Sequence, residues 1–317
     1  RRFVARNRYR NTVNNFTGIH GTWMVSGGEK VQLFYTLPVH RLPTDRGGLM
    51  HNRIRLDEED FDVQFWGVYV EVPDFIGQAK GDVFVFGIHE NDRPELPTSN
   101  RNFYTGGFRV YQSPQKGRGD FEIEAALQIG KSRASRSPAD VTDLDHFAGF
   151  VHLEAGYTFD NNWQTRCVFQ FDYASGDKDP NDNENNRWDT LYGARRFDYG
   201  PTGTYGTFAR SNLISPAYRF TVTPHEQVNI MFAHRFHWLA SDTDAWTTGG
   251  LRDVTGNSGS YLGNQPEIRV RWEAFPGNLR IEGGVVHLFA GEFLKLARNS
   301  NGQGDSTYGY LQSVFTF

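Results

Sequence analysis

Hydrophobic and polar residues alternate along most of this chain with a period of two, the pattern of strands that bury one face and expose the other differently. The final stretch is the clearest case. Gly309, Leu311, Ser313, Phe315 and Phe317 fall on one face of an extended strand, and Tyr308, Tyr310, Gln312, Val314 and Thr316 on the other. Alternation and turn punctuation predict about fourteen strands, over 1–11, 14–25, 29–38, 60–72, 81–90, 101–112, 119–131, 145–159, 162–175, 206–222, 225–240, 259–274, 278–291 and 306–317. No stretch reads as an amphipathic helix.

Several of these runs exceed the roughly 9–11 residues with which a tilted strand crosses a bilayer. The connections alternate in length. Short ones fall at 26–29, 113–119, 160–161, 223–224 and 276–277, and long ones at 39–59, 132–144, 176–205, 242–258 and 292–305. Short turns on one side and long loops on the other are the asymmetry of outer-membrane barrels. Two connections fit poorly: 73–80 is longer than a tight turn, and 11–14 is too short for its side. A soluble sandwich does not need this alternation, and a propeller would repeat every 40–50 residues or so. The pattern therefore predicts one domain over 1–317, an all-β antiparallel transmembrane barrel in the bacterial outer membrane. An aromatic last strand that stops on Phe317 is also the kind of end that the barrel-assembly machinery reads, so that machinery and outer-membrane lipid are expected partners.

Composition sharpens this reading. The mean hydropathy is −0.58, and no run of apolar residues is long enough for a membrane helix. A barrel can be this polar because only alternate residues meet lipid. The net charge of −4 argues against a nucleic-acid binder. The single cysteine, Cys167, excludes an internal disulfide and falls on the expected lipid face, where it packs. The chain opens in mid-strand without Met or a signal peptide, which predicts a piece of a longer exported protein.

If one face of each strand meets lipid, the other lines a lumen. In 259–274, Ile268, Val270, Trp272 and Ala274 are expected outward, and Glu267, Arg269, Arg271 and Glu273 inward. Four charges at period two cannot enter hydrocarbon, where an arginine at the midplane costs about 2–4 kcal/mol. They also cannot fill a dry core unless paired. Arg2, Arg6, Arg8 and Arg10 share a face of 1–11, interrupted by Val4. The same logic turns Arg166, Gln170, Asp172, Arg219, Arg235, His237, Glu122, Glu124, His152, Glu154, Arg280 and Glu282 inward. Salt-bridge ladders that brace a wide barrel and bind nothing are the competing reading. The arginines outnumber the acids on neighbouring strands, however, and a guanidinium-rich lumen focuses the field for anions. The planar fork of arginine also suits carboxylates.

Other signals are weak. Asp177, Asp179, Asn181 and Asn183 superficially match a calcium loop, but Asp182 stands where Gly is needed and Trp188 where Glu is needed. A solvated polar loop is the expectation for 176–205, with no metal and no cofactor. No spacing argues for a nucleophile–base pair, so an enzyme is not expected.

Four stretches resemble the alginate-export family of outer-membrane proteins: 1–12 (RRFVARNRYRNT), 34–39 (FYTLPV), 174–180 (ASGDKDP) and 267–272 (EIRVRW). Their order along one chain carries more than any one of them. The resemblance implies a monomeric barrel of about 18 strands with a narrow, arginine-lined constriction that passes a polyuronate. Roughly four N-terminal strands would then lie outside this chain. It also implies that Arg6, Arg8, Arg10, Arg269 and Arg271 are pore arginines, with Arg166, Arg219 and Arg235 on shorter matches. With His237, Glu154 and Glu273, these form the expected substrate-binding set. The expected function is passive diffusion of an anionic polysaccharide, with a periplasmic export scaffold as a further partner. A general anion or sugar porin, or a barrel hydrolase, are the alternatives.

Overall fold

The computed structural model describes residues 2–7, 13–93, 96–201, 205–302 and 304–317. Thirteen strands form one antiparallel meander in which every sequence neighbour pairs. They are β1 (Phe16–Met24), β2 (Lys30–Pro38), β3 (Val63–Ile76), β4 (Ala79–Glu90), β5 (Asn102–Gln112), β6 (Arg118–Ser132), β7 (Leu144–Thr158), β8 (Arg166–Ala174), β10 (Leu213–His225), β11 (Val228–Trp238), β12 (Tyr261–Phe275), β13 (Leu279–Ala290) and β14 (Ser306–Phe315). A two-residue strand, β9 (Glu184–Asn185), pairs in parallel with β7 beside Asp145 and His146. Three short helices, α1 (Arg46–Met50), α2 (Arg196–Tyr199) and α3 (Glu292–Leu296), lie in long connections. Among the described residues, β1 pairs only with β2 and β14 only with β13, so the ladder ends on those two strands.

The connections alternate without exception. Those at 25–29, 77–78, 113–117, 159–165, 226–227 and 276–278 are short, and those at 39–62, 91–101, 133–143, 175–212, 239–260 and 291–305 are long. The doubtful connection at 73–80 resolves because β3 runs on to Ile76 through a bulge, leaving only Gly77 and Gln78 as the turn. The other misfit has a different cause. The expected strand over 1–11 is not a strand where it is described. Residues 2–7 form an irregular segment inside the curl of the sheet, where Val4 bridges Tyr192. Residues 8–12 lie outside the described residues.

Side-chain alternation separates two environments. On β12, Ile268, Val270 and Trp272 are 54, 42 and 46 % exposed, whereas on the opposite face Gln265 and Glu267 are buried and Arg269 and Arg271 half-buried. The outer surface carries Val83, Val85, Phe108, Ile123, Leu127, Phe147, Phe169, Phe220 and Val285, all exposed. An exposed apolar band this broad is unstable in water and fits lipid.

The inner face is filled from two sources. Phe3 packs its ring on Phe84, Phe150 and Trp188 at 5.3–5.5 Å between centroids. Burying such a ring contributes about 1.5–3 kcal/mol toward holding the irregular N-terminal segment against the wall. The second source is the connection 175–212, which does not stand in solvent as expected for 176–205. It folds into the curl, with Trp188, Tyr199 and Phe208 fully buried. Asp189 bonds Arg101 before β5, and Arg196 bonds Glu267, Glu282 and Tyr310 on β12–β14. One short segment can touch both walls only if the sheet curls around it.

Candidate functional site

Arg219 stands opposite Ala233 and Val168 across its ladders, Arg235 opposite Ala217 and Gln265, and Arg269 opposite Met231 and Gly284. Three of these neighbours, Ala233, Ala217 and Gly284, are small and leave space around the guanidinium groups. The result is a cavity of about 540 Å³ between the wall and the inserted connection, reaching the short turns at Lys116 and Gln164. Six arginines line it: Arg166, Arg196, Arg219, Arg235, Arg269 and Arg271. Among the described residues only two carboxylates, Asp198 and Glu267, share that lining.

Most of these arginines are held by acids. Arg166 bonds Asp120 and, at 2.9 Å, Glu154. Arg235 donates to Asp172 at 3.0 Å and to Gln170 at 2.9 Å. Arg271 donates twice to Glu282 Oε2, at 3.0 and 2.7 Å. Arg196 reaches Glu267 and Glu282 at 3.1 Å each. Arg219 has only long contacts with Glu154, at 3.3 and 3.5 Å. Arg269 makes no hydrogen bond or ion pair among the described residues, and its Nε is buried without a partner. A cation left over in an arginine-rich cavity is a ready ligand for a carboxylate.

Above this cavity sits a buried network. His152 Nδ1 lies 2.6 Å from Asp172 Oδ1, and its Nε2 lies 2.8 Å from Arg2 Nη2. Arg2 also bonds Glu122, Glu124 and Asp198, and Asp198 bonds Arg210. Each buried charge is compensated, as it must be at low dielectric. These residues fix the inserted connection rather than offer free ligands. Gly200, just after α2, adopts φ of +79°, and a Cβ there would meet Gln265 Nε2 at 2.9 Å. Glycine thus permits the close approach of the connection to β12.

The expected binding set divides. Arg166, Arg219, Arg235, Arg269 and Arg271 converge on one cavity. Glu154 stands behind it and orients Arg166, Gln170 and Arg219. Glu273 instead pairs with Arg280 at 2.5 Å near the short turn and does not line the cavity. His237 does not line the cavity either: it is fully buried, 3.1 Å from Ser215 Oγ, and the Phe208 ring of the inserted connection stacks over it. Arg6 is exposed on the irregular segment, not on a strand face, because residues 2–7 do not join the sheet. Arg8 and Arg10 lie outside the described residues. Arg196 and Asp198 were missed, since they sit on a segment without periodicity. The signal available was its content of Trp188, Tyr192, Tyr199, Tyr205 and Phe208, too aromatic for a solvated loop.

Among the described residues two serine–histidine contacts form, Ser215–His237 and Ser132–His146 at 3.1 Å each. Ser215 also donates to Phe236 O, and His146 Nε2 meets Gln128 rather than a carboxylate. Both pairs serve packing. In the loop with calcium-like spacing, the Asp179 and Asp182 side chains accept the N–H groups of Asn181 and Glu184, which makes them turn residues.

The family model described as alginate export matches residues 1–305. No curated protein matches at a significant level. The solved structure of Pseudomonas aeruginosa OccK11 (OpdR) superposes with a TM-score of 0.56 at 12 % identity, covering 99 % of this chain and 75 % of that one. OmpT, an outer membrane protein of Vibrio cholerae, gives a TM-score of 0.40 at 9 % identity, over 95 % of this chain and 88 % of that one. At this identity the first likeness speaks for the fold alone.

Proposed function

From the premise that this chain belongs to the alginate-export family and is a channel of the bacterial outer membrane, we propose that it passes an anionic polysaccharide, a polyuronate, by passive diffusion through the arginine-lined cavity. The observation that carries this reading is Arg269, unpaired among five other arginines. A uronate carboxylate entering from the short-turn side meets a guanidinium whose charge no protein carboxylate has satisfied. Arg219, weakly held at 3.3 Å, is the next such cation. The remaining arginines are oriented by acids, which limits how tightly each can grip. Weak contacts at several sites allow entry and release, the requirement for conduction. The planar fork of arginine favours a carboxylate over chloride.

The test is the reversal potential of the purified protein in a planar bilayer under a salt gradient, with an alginate oligosaccharide then added to either side. Anion selectivity and block by the oligosaccharide are expected, and Arg269→Ala should weaken both. A folded Arg269→Ala protein with unchanged selectivity and block overturns the assignment. Weak selectivity without block in the wild type points to a general porin instead.

A further inference from the structure

The arginine-lined cavity lies on one side of the inserted connection. On its other side lies a second cavity, of about 680 Å³, larger than the first. Its lining comes from the long connections: Arg41 between β2 and β3, Ser99 between β4 and β5, Arg136 between β6 and β7, and Thr248 between β11 and β12. In an outer-membrane barrel this is the outward mouth. Among the described residues, six arginines line it, Arg41, Arg101, Arg133, Arg136, Arg187 and Arg195, with Asp189 as the one carboxylate on the wall.

Asp189 is not available to neutralise that wall. It already accepts from Arg101 at 3.0 Å and from the Leu191 N–H at 2.7 Å. Arg133 and Arg187 are held from behind by Asp92, Asp143 and Asp244. Arg41 and Arg136 differ. Both are exposed, and neither makes a hydrogen bond or ion pair among the described residues. The mouth therefore repeats the logic of the inner cavity: arginines fixed by acids, plus cations left unpaired. The two cavities also share a partition. Arg195 lines the outer one and its neighbour Arg196 the inner one, so consecutive residues face opposite compartments.

We propose that the outer cavity is a second carboxylate-binding station, at which a uronate unit leaving the inner cavity is received by Arg41 and Arg136. This rests on the polyuronate-channel reading. The two stations lie in series across the connection 175–212, and a chain long enough to reach from one to the other is held at both before release. A receiving site at the exit lowers the cost of leaving the inner cations, since each carboxylate exchanges one guanidinium for another. The site is a cavity of ordinary ligand size, and its specificity is for carboxylates because the unpaired donors are arginine forks.

The experiment is block of the reconstituted channel by an alginate oligosaccharide added from one side at a time, in the wild type, Arg41→Ala/Arg136→Ala and Arg41→Lys/Arg136→Lys. Both positions are exposed in connections, so the variants fold. The alanine pair is expected to raise the half-blocking concentration about tenfold from the long-connection side, the scale of one lost charge-assisted contact. Block from the short-turn side should stay near the wild-type value. The lysine pair should recover only part of the loss, because it keeps the charge and removes the fork. Unchanged block from the long-connection side in the alanine pair overturns the outer station while leaving the inner one intact. Equal loss from both sides also overturns it, since that is a change of general field. Absence of block from either side in the wild type removes the polyuronate reading on which the outer station rests.

Discussion

Arg269 and Arg271 stand two residues apart on the same inward face of β12, yet only Arg271 is paired, through two bonds to Glu282. Glu282 is shared with Arg196 at 3.1 Å, so it braces the inserted connection as well as the wall. The two arginines should therefore separate in a stability measurement. Arg269→Ala removes no partner, and its unfolding free energy in detergent should stay within about 0.5 kcal/mol of wild type, as for substitutions that break nothing. Arg271→Ala should lower the midpoint. Equal destabilisation by both would show that Arg269 is a bracing residue, not a ligand.

Asp172 carries a larger stake. It is fully buried, and it compensates both His152 and Arg235. Asp172→Asn leaves Arg235 in a buried site without its counter-charge. Breaking such a pair costs about 3–5 kcal/mol. Heat-modified mobility in SDS should reveal the loss as a lower transition temperature. A variant as stable as wild type would mean that water reaches this layer and that it belongs to the pore.

The mouth contains a pH-sensitive clasp. Burial, then the nearby Asp244 carboxylate, push the Asp177 carboxyl up to about 6, with Arg187 and Arg252 opposing. Asp177 N–H donates to Asp244 at 2.9 Å, while Asp177 Oδ1 has no partner. An acid whose folded value is raised binds more protons folded than released. The docked connection is then most stable below the ordinary aspartate value, about 4, and loses stability as pH rises through 6 or so. Above that range the dependence should flatten. Hydrogen exchange of residues 176–186 should quicken over this window, and Asp177→Asn should abolish the change. Exchange that slows with rising pH, after correction for intrinsic rates, contradicts the sign.

The two faces of β12 should tolerate charge in opposite ways. Val270 is exposed on the outer face between inward Arg269 and Arg271. Val270→Arg should cost about 2–4 kcal/mol if that face meets the bilayer midplane. Arg269→Val, one residue away, should assemble normally. Reconstitution yield into vesicles compares them directly, and a Val270→Arg protein that inserts as well as wild type would place this band outside hydrocarbon.

Apart from the stretch 1–11, sequence alone determined the wall strands and their facing. Period-two alternation is a local property, and a strand such as 267–273 cannot place Glu267, Arg269 and Arg271 on one side of a membrane wall and in lipid at once. The inward register of Arg166, Arg219, Arg235, Arg269 and Arg271 was legible for that reason, and so was the alternation of connection lengths. Tertiary structure decided the rest. Whether Arg2–Asn7 pairs in the sheet or fills the curl depends on whether Phe3 gains more from Phe84, Phe150 and Trp188 than from a strand neighbour. The path of 175–212 depends on contacts with Arg101, Gln265, Glu267 and Tyr310, far apart in sequence. Which arginine is left unpaired follows from counting partners in space. Arg269 and Arg271 look alike along the chain, and only the position of Glu282 across the ladder tells them apart.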